Sequence, residues 1–321
     1  MNFSTPTSYL DSAGPRADAI LPLTWYMLIV SVIVCVVIAW VLLRALRGAR
    51  ANGGDAETRA VSVEAGPSGV HWIRNGLLVS GVPLAVALVW TMVTLAAVSG
   101  PPASPALTLD VTGHQWWWEV TYDSPDASQI FTTANEIHIP VGERVLVRLH
   151  GADVIHSFWV PKLTGKTDSI PGQTNLSWLE AGQPGIYSGP CTEYCGAQHA
   201  HMMVQVIAQS PGEFEQWRLR QLQPAVAPTN PQTTHGAELV EYRCGLCHQL
   251  RGTHAAAHAA PDLSHFAGRR MLAAGLLPNT RGTLAAWIEN AHGLKPGNQM
   301  PNQELNGEDL EDVIDYLELQ Q

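Results

Sequence analysis

Two runs without a charged residue limit what this chain can become. Leu21–Leu43 and Gly76–Val98 are apolar almost throughout. As helices rising 1.5 Å per residue, each is about 34 Å long, enough to cross about 30 Å of hydrocarbon. Pro83 inside the second run is tolerable in a membrane helix. A soluble fold would have to bury two such helices with no polar face. Only 14% of the 321 residues are charged, against roughly 25% in soluble domains. With 46% hydrophobic residues, the chain is not a disordered one either. The net charge of −10 excludes a nucleic-acid binder held by bulk charge.

The first run is too long for a signal peptide and no Ala-x-Ala site follows it, so it reads as a retained anchor. Between the runs lie Arg44, Arg47, Arg50, Arg59 and Arg74 against Asp55, Glu57 and Glu64, whereas the first twenty residues hold Arg16 alone among the basic residues. By the positive-inside rule, segment 44–75 is cytoplasmic, while the tail 1–20 and everything beyond about residue 100 are extracytoplasmic.

Residues 104–222 alternate short β-branched and aromatic runs with turns. The expected strands are Ala106–Thr112, Trp116–Tyr122, Glu136–Ile139, Arg144–His150, His156–Val160, Thr174–Leu179, Gly185–Ser188 and Met203–Ala208. This density predicts an all-β Greek-key sandwich or barrel. A short helix is expected over 213–222, then a Pro/Thr/Asn/Gln linker over 223–232. Residues 233–321 read as a small all-α domain. It closes with a helix over Gly307–Gln320, whose Leu310, Val313, Ile314 and Leu317 share a face.

The segment Cys191-Thr-Glu-Tyr-Cys195-Gly-Ala-Gln-His199-Ala-His-Met202 carries chemistry. Cys195, His199 and Met202 offer thiolate, imidazole and thioether, the soft donor set of copper electron-transfer sites. Cys191 adds a second thiolate, and two bridging sulfurs can hold two copper ions. His156, at a strand start, best supplies the second imidazole. Three alternatives stand beside this: a Cys191–Cys195 disulfide, Cys2His2 zinc, or His and Met as plain core residues.

Cys244-Gly-Leu-Cys247-His248 is the c-type haem attachment signal. The thiols add to the haem vinyl groups and His248 becomes an iron ligand. A thioredoxin-like dithiol would leave His248 unexplained. Met300, just before the last helix, is the preferred sixth ligand over Met271, His254, His258, His265 and His292; such a Met raises the haem potential. The i,i+4 pair His254 and His258 reads as a solvated face. Cys35, in the first apolar run, reads as a small apolar residue.

These motifs resemble subunit II of haem–copper cytochrome c oxidases, in the caa3-type form with a fused C-terminal cytochrome c. The resemblance rests on Cys191-x-Glu193-x-Cys195-x3-His199-x2-Met202, on Asp153-Val-Ile-His156-Ser, and on Gly113-His-Gln-Trp116-Trp-Trp-Glu. Lys166-Thr-Asp168-Ser-Ile-Pro-Gly, Ala260-Pro261-Asp262 and Ala274-Gly-Leu-Leu-Pro278 extend it. It implies a cupredoxin-like β domain holding a binuclear copper centre. Cys191 and Cys195 would bridge, His156 and His199 would be terminal ligands, and Met202 a weak axial one. Glu193 would give its carbonyl to copper and its carboxylate to a Mg²⁺ or Mn²⁺ shared with subunit I. Trp116 would be where electrons enter, and Pro261 would offer its carbonyl to His248.

By the same resemblance, the chain is a subunit of an oxidoreductase and translocase in a bacterial inner membrane. Electrons would pass from a c-type donor to the haem, to the copper pair, and to subunit I for reduction of O₂ to water. The chain alone would not reduce O₂. Partners would be subunits I and III, the donor and membrane lipid, with no nucleic acid. Other readings are a relay serving a copper-containing nitric oxide reductase, and a copper-delivery protein. At one point the sequence departs from the family: the Glu at the mouth of a proton path would fall near Gly76, and no carboxylate lies between Gly66 and Gly100.

Overall fold

The computed structural model describes residues 7–51 and 67–321. Arg59, Asp55, Glu57 and Glu64, on which the orientation argument leaned, lie outside the described residues, as does the Arg50 side chain. The chain divides into two units, Asp18–Gly100 and the remainder.

The first unit holds most of helix α1 (Pro15–Ala51) and all of helix α2 (Pro67–Ser99). Both outrun the expected spans, because the polar flanks continue the helix. Their apolar windows have mean hydropathy of 3.0 and 2.1, and 0% and 6% of those windows is buried. Helices that expose Ile33, Val36, Leu42, Leu77 and Val79 have no polar face to offer water, so lipid is the solvent that suits them. Tyr26 joins the two, donating to the Pro83 carbonyl at 2.9 Å and facing the Trp90 ring at 5.5 Å.

The second unit begins with a strap. Ala13 pairs by its N–H with the Lys162 carbonyl and by its carbonyl with the Gly182 N–H, both at 2.8 Å. Asp11 pairs with Lys162, and the buried Arg16 guanidinium donates to Thr164 and Ser177 at 2.7 Å each. Asp11, Ala13 and Arg16 therefore belong to this second unit.

Next come β1 (Leu107–His114), β2 (Trp117–Asp123), β3 (Phe131–Ala134), β4 (Glu136–Pro140), β5 (Val145–Gly151), β6 (His156–Phe158), β7 (Thr167–Ser169), β8 (Asn175–Leu179), β9 (Gly185–Pro190) and β10 (Met203–Gln209). One sheet has the order β3-β2-β1-β5-β8, a second β4-β10-β9, and β6-β7 form a ribbon. β1 runs parallel to β5, and β4 to β10. Alternation places Leu109, Val111, Val147, Leu149, Val204 and Val206 in one core while Asp110, Arg148 and Gln205 face outward. β3 and β7 were not expected, and the second strand starts at Trp117 rather than Trp116. Helix α3 (Pro211–Gln221) starts at a Ser210–Glu213 capping box, two residues before its expected start. Its Trp217 stacks on His138 with ring centroids 4.0 Å apart.

The segment read as a linker is not a loose tether. Ala225 N–H donates to the Arg251 carbonyl at 2.8 Å, and Val226 pairs with the buried Gln320 side chain. At Asn230 it already caps helix α4 (Pro231–Leu239). A tight turn at Val240–Cys244 follows, then β11 (Met271–Leu272) and β12 (Leu277–Pro278). Helices α5 (Arg281–Glu289), α6 (Ala291–Leu294) and α7 (Gly307–Glu318) complete the chain. A separate apolar core joins Val240, Leu250, Leu284, Ile288, Val313, Ile314 and Leu317.

Candidate metal centre and haem site

The β9–β10 connection folds so that its soft donors converge. Cys191 and Cys195 Sγ lie 3.8 Å apart, both as free thiols, which sets the disulfide alternative aside. Donor atoms of His156, Cys191 and Cys195 all lie within 4.8 Å of one another, and all three residues are buried. His199 Nδ1 is 3.5 Å and Met202 Sδ 3.9 Å from Cys195 Sγ. The Glu193 carbonyl is 3.3 Å from Cys191 Sγ. Burial opposes charge on Cys191, but the neighbouring His156 imidazole and the Ser157 backbone outweigh it and hold its thiol below the ordinary range. Burial and the neighbouring Cys191 thiolate push Cys195 up to about 12.

His156 arrives from β6, and Gly113 of β1 makes room for it: a Cβ at 113 would stand 2.7 Å from the imidazole. Its Nε2 pairs with Asp153 at 2.8 Å, while its Nδ1 is buried with no hydrogen-bond partner. A carboxylate holding one ring nitrogen while the other is free is the usual setting of a metal-bound histidine. An orphaned buried nitrogen beside two buried thiols fits a soft metal, and the adjacent thioether favours copper over zinc. The Glu193 carboxylate points elsewhere, to Lys166 Nζ at 3.2 Å, which also meets Asp168 at 2.9 Å.

In the helical domain, Cys244 ends the tight turn, and both the Cys247 and His248 N–H groups donate to its carbonyl. His248 Nδ1 donates to the Pro261 carbonyl at 2.6 Å, as expected. That bond fixes the tautomer and leaves Nε2 as the donor for a metal. Burial pushes the Cys244 thiol up to about 11. Met300 is half-buried in a loop organised by the buried Asn298, whose side chain ties Ala291, Lys295 and Met300 together. His254 and His258 are exposed.

Residues 124–209 match the cytochrome c oxidase subunit II periplasmic domain family, and residues 233–320 match the cytochrome c family. The chain joins a cytochrome c oxidase subunit II periplasmic domain to a cytochrome c domain. Cytochrome c oxidase subunit 2 of Alkalihalophilus pseudofirmus is 41% identical to it over 65% of this chain and 60% of that protein. The Bacillus subtilis protein of the same name is 32% identical over 68% of this chain and 63% of that one. The chain thus spans a little over three-fifths of the length of these relatives. The crystal structure of the periplasmic domain of subunit II from Bradyrhizobium japonicum aligns at 33% identity, over 37% of this chain and 94% of that one, with a TM-score of 0.35. A subunit II domain implies a copper site, and a cytochrome c domain a covalently held haem.

Trp116 lies where the subunit II domain meets the cytochrome c domain. It is 8% exposed. Its Nε1 donates to the Cys195 carbonyl at 2.9 Å. On the other side Gly297 lies against the ring: at φ +87 a Cβ there would sit 3.3 Å from Trp116. Sequence reading overlooked the polar groups that join the domains. Glu136 of the subunit II domain accepts from the Arg270 and Met271 N–H groups. Arg251 of the cytochrome c domain donates to the Ile130 carbonyl, and Gln198 to that of Pro296, both at 2.8 Å. Lys295 is buried here as well, and burial pushes its ammonium down to about 7.

Proposed function

We propose that this chain is the electron-relay subunit of a caa3-type haem–copper terminal oxidase, anchored in a bacterial inner membrane by its two apolar helices. One observation carries the reading. A buried Cys–Cys–His cluster and a Cys-x-x-Cys-His loop occupy one compact unit. Bound there, two copper ions and a c-type haem would supply one-electron exchange with little change in geometry.

Cys191 and Cys195 would bridge the metals, with His156 through Nδ1 and His199 as terminal ligands. Met202 and the Glu193 carbonyl would complete the set at longer range. Cys244 and Cys247 would fasten the haem, His248 Nε2 and Met300 flanking its iron. Trp116 would carry electrons toward the copper loop. Its cover by Gly297 favours this chain's own cytochrome c domain as their source, with a c-type donor feeding that domain. The carboxylates of Glu193 and Asp168 converge on Lys166. Such hard oxygen ligands would suit a Mg²⁺ or Mn²⁺ completed by subunit I. Subunits I and III would be the membrane partners, and O₂ reduction would belong to subunit I. The strap at Asp11, Ala13 and Arg16 packs on the β domain, which supports an extracytoplasmic position for that segment.

Oxygen uptake by the native detergent-solubilised complex, with ascorbate and a redox mediator, tests the reading. Fast, cyanide-sensitive uptake is the expected result. No uptake from a complex that retains copper and c-haem signals would sink it, and nitric oxide would be the next acceptor. A copper-delivery role predicts labile copper, which a buried site does not favour.

A further inference from the structure

Lys295 occupies an unusual place for a lysine. It follows α6, in the same loop as Met300, and is 3% exposed. Among the described residues it forms no ion pair. Its Nζ instead donates to three main-chain oxygens: Trp116 and His201 at 2.8 Å and Ala273 at 2.7 Å. In the protonated form all three ammonium protons are thus used. The acceptors come from three separate segments: the β1–β2 turn that carries Trp116, the copper loop, and the hairpin of the cytochrome c domain. A buried charge is a costly way to glue surfaces together, and apolar residues of similar volume often do it as well. An ammonium offers what they lack, which is direction: three bonds of fixed length fix one position.

The neighbours of Lys295 make that position consequential. Its own carbonyl is held by Asn298, which also orders Met300. Pro296 is gripped by Gln198 of the copper loop, and Gly297 rests on the Trp116 ring. The far edge of that ring is bonded to the Cys195 carbonyl. Among the described residues Lys295 is therefore the one side chain that reaches all three parts at once, bonding from the loop bearing Met300 to the Trp116 and His201 carbonyls, while Gln198 and the indole N–H each join only two.

We propose that Lys295 is a positioning residue: it pins the Met300 loop of the cytochrome c domain against Trp116 and the copper loop, and so sets the rate of electron transfer between the two domains. This rests on the relay reading above. With both groups bound, that transfer would pass one electron from the haem to the copper pair, with no bond made or broken and no proton moved. Lys295 gives up neither electron nor proton; it contributes position alone.

The test uses the full chain in detergent, as wild type, Lys295→Met, Lys295→Arg and Arg251→Met. The last cuts a different contact between the same two domains. Without cofactors, hydrogen exchange at amides 114–118 and 198–203 is expected to quicken about tenfold in Lys295→Met, the loss of one net hydrogen bond. With copper and haem loaded, photoreduction of the haem by a ruthenium dye reads the inter-domain rate. A displaced reaction partner costs rate steeply, so a fall of about tenfold or more is expected in Lys295→Met. Lys295→Arg should recover part of it, and Arg251→Met should stay near wild type. Unchanged exchange and rate in Lys295→Met would overturn the proposal, as would an equal loss in Arg251→Met. If Lys295→Met does not load both centres, Lys295→Arg decides by the same measures, a wild-type rate overturning the pin. A wild-type chain that binds neither copper nor haem would count against the relay reading instead, while exchange would still report on the pin.

Discussion

Trp116 and Cys195 are joined by an indole N–H to carbonyl bond of 2.9 Å across 79 residues of chain. Gln115 donates to the same oxygen at 2.7 Å. Trp116→Phe should therefore cost only about 1 kcal/mol, because the carbonyl keeps one partner. Adding Gln115→Leu strands that buried oxygen and should cost a further 1–3 kcal/mol or about that. Urea unfolding followed by tryptophan fluorescence would read the difference, and simple additivity of two small effects would contradict it.

Asp153 holds His156 by Nε2 and so leaves Nδ1 free for a metal. Asp153→Ala should weaken copper retention by about 10- to 100-fold while leaving the fold intact. Competition with a chelator, followed by the copper absorption band, measures this. Wild-type retention would show that Asp153 does not orient the ligand.

Outside the site, Arg148 bridges Asp110 and Asp123, and His150 meets Asp110 at 3.0 Å. Burial works against the Asp110 carboxylate, yet Arg148 and His150 hold it below the ordinary carboxylate range. The folded state then binds fewer protons at Asp110 than the unfolded chain. The stability so gained is present above about pH 4, the unfolded value, and is lost as pH falls through the lower folded one. Arg148→Met should be less stable than wild type near neutrality, with the gap closing in acid. Unfolding midpoints taken across that range test the sign.

Glu136 is buried and accepts from two backbone N–H groups of the cytochrome c domain. Glu136→Leu orphans both donors and should cost about 1–3 kcal/mol, whereas Glu136→Gln keeps an acceptor and should cost less. Thermal melting of the full chain separates the two; equal melting temperatures would mean that water replaces the carboxylate.

Much of this was legible because the chemistry is local. Cys191, Cys195, His199 and Met202 sit in one loop, and Cys244 to His248 in one turn, so spacing alone brings them together. β1, β5 and β10 were expected from their β-branched and aromatic runs. β3 and β7 escaped because four and three residues are too few to show a period, and the polar Thr167–Ser169 has no apolar face. His156 was found only by asking which imidazole the loop lacked. Lys295 could not be found at all. Lysines are read as surface residues, and its acceptors at Trp116 and His201 lie 179 and 94 residues away. Nor does an acceptor of that kind leave any mark in sequence, since every residue has a carbonyl. Net charge likewise does not describe the contact between these two domains, which uses the buried Glu136, Gln198 and Lys295.

Every oxygen that Lys295 grips belongs to the peptide chain rather than to a side chain. No substitution at His201 or Ala273 can delete the atom that is held. The junction between the domains therefore depends at this point on the identity of one residue and on the mere path of the backbone at three others. Drift in the copper loop and the hairpin can alter their surfaces freely so long as the main chain keeps its course. A two-sided match between complementary side chains would need paired changes to survive such drift; this one needs only that position 295 stay a lysine.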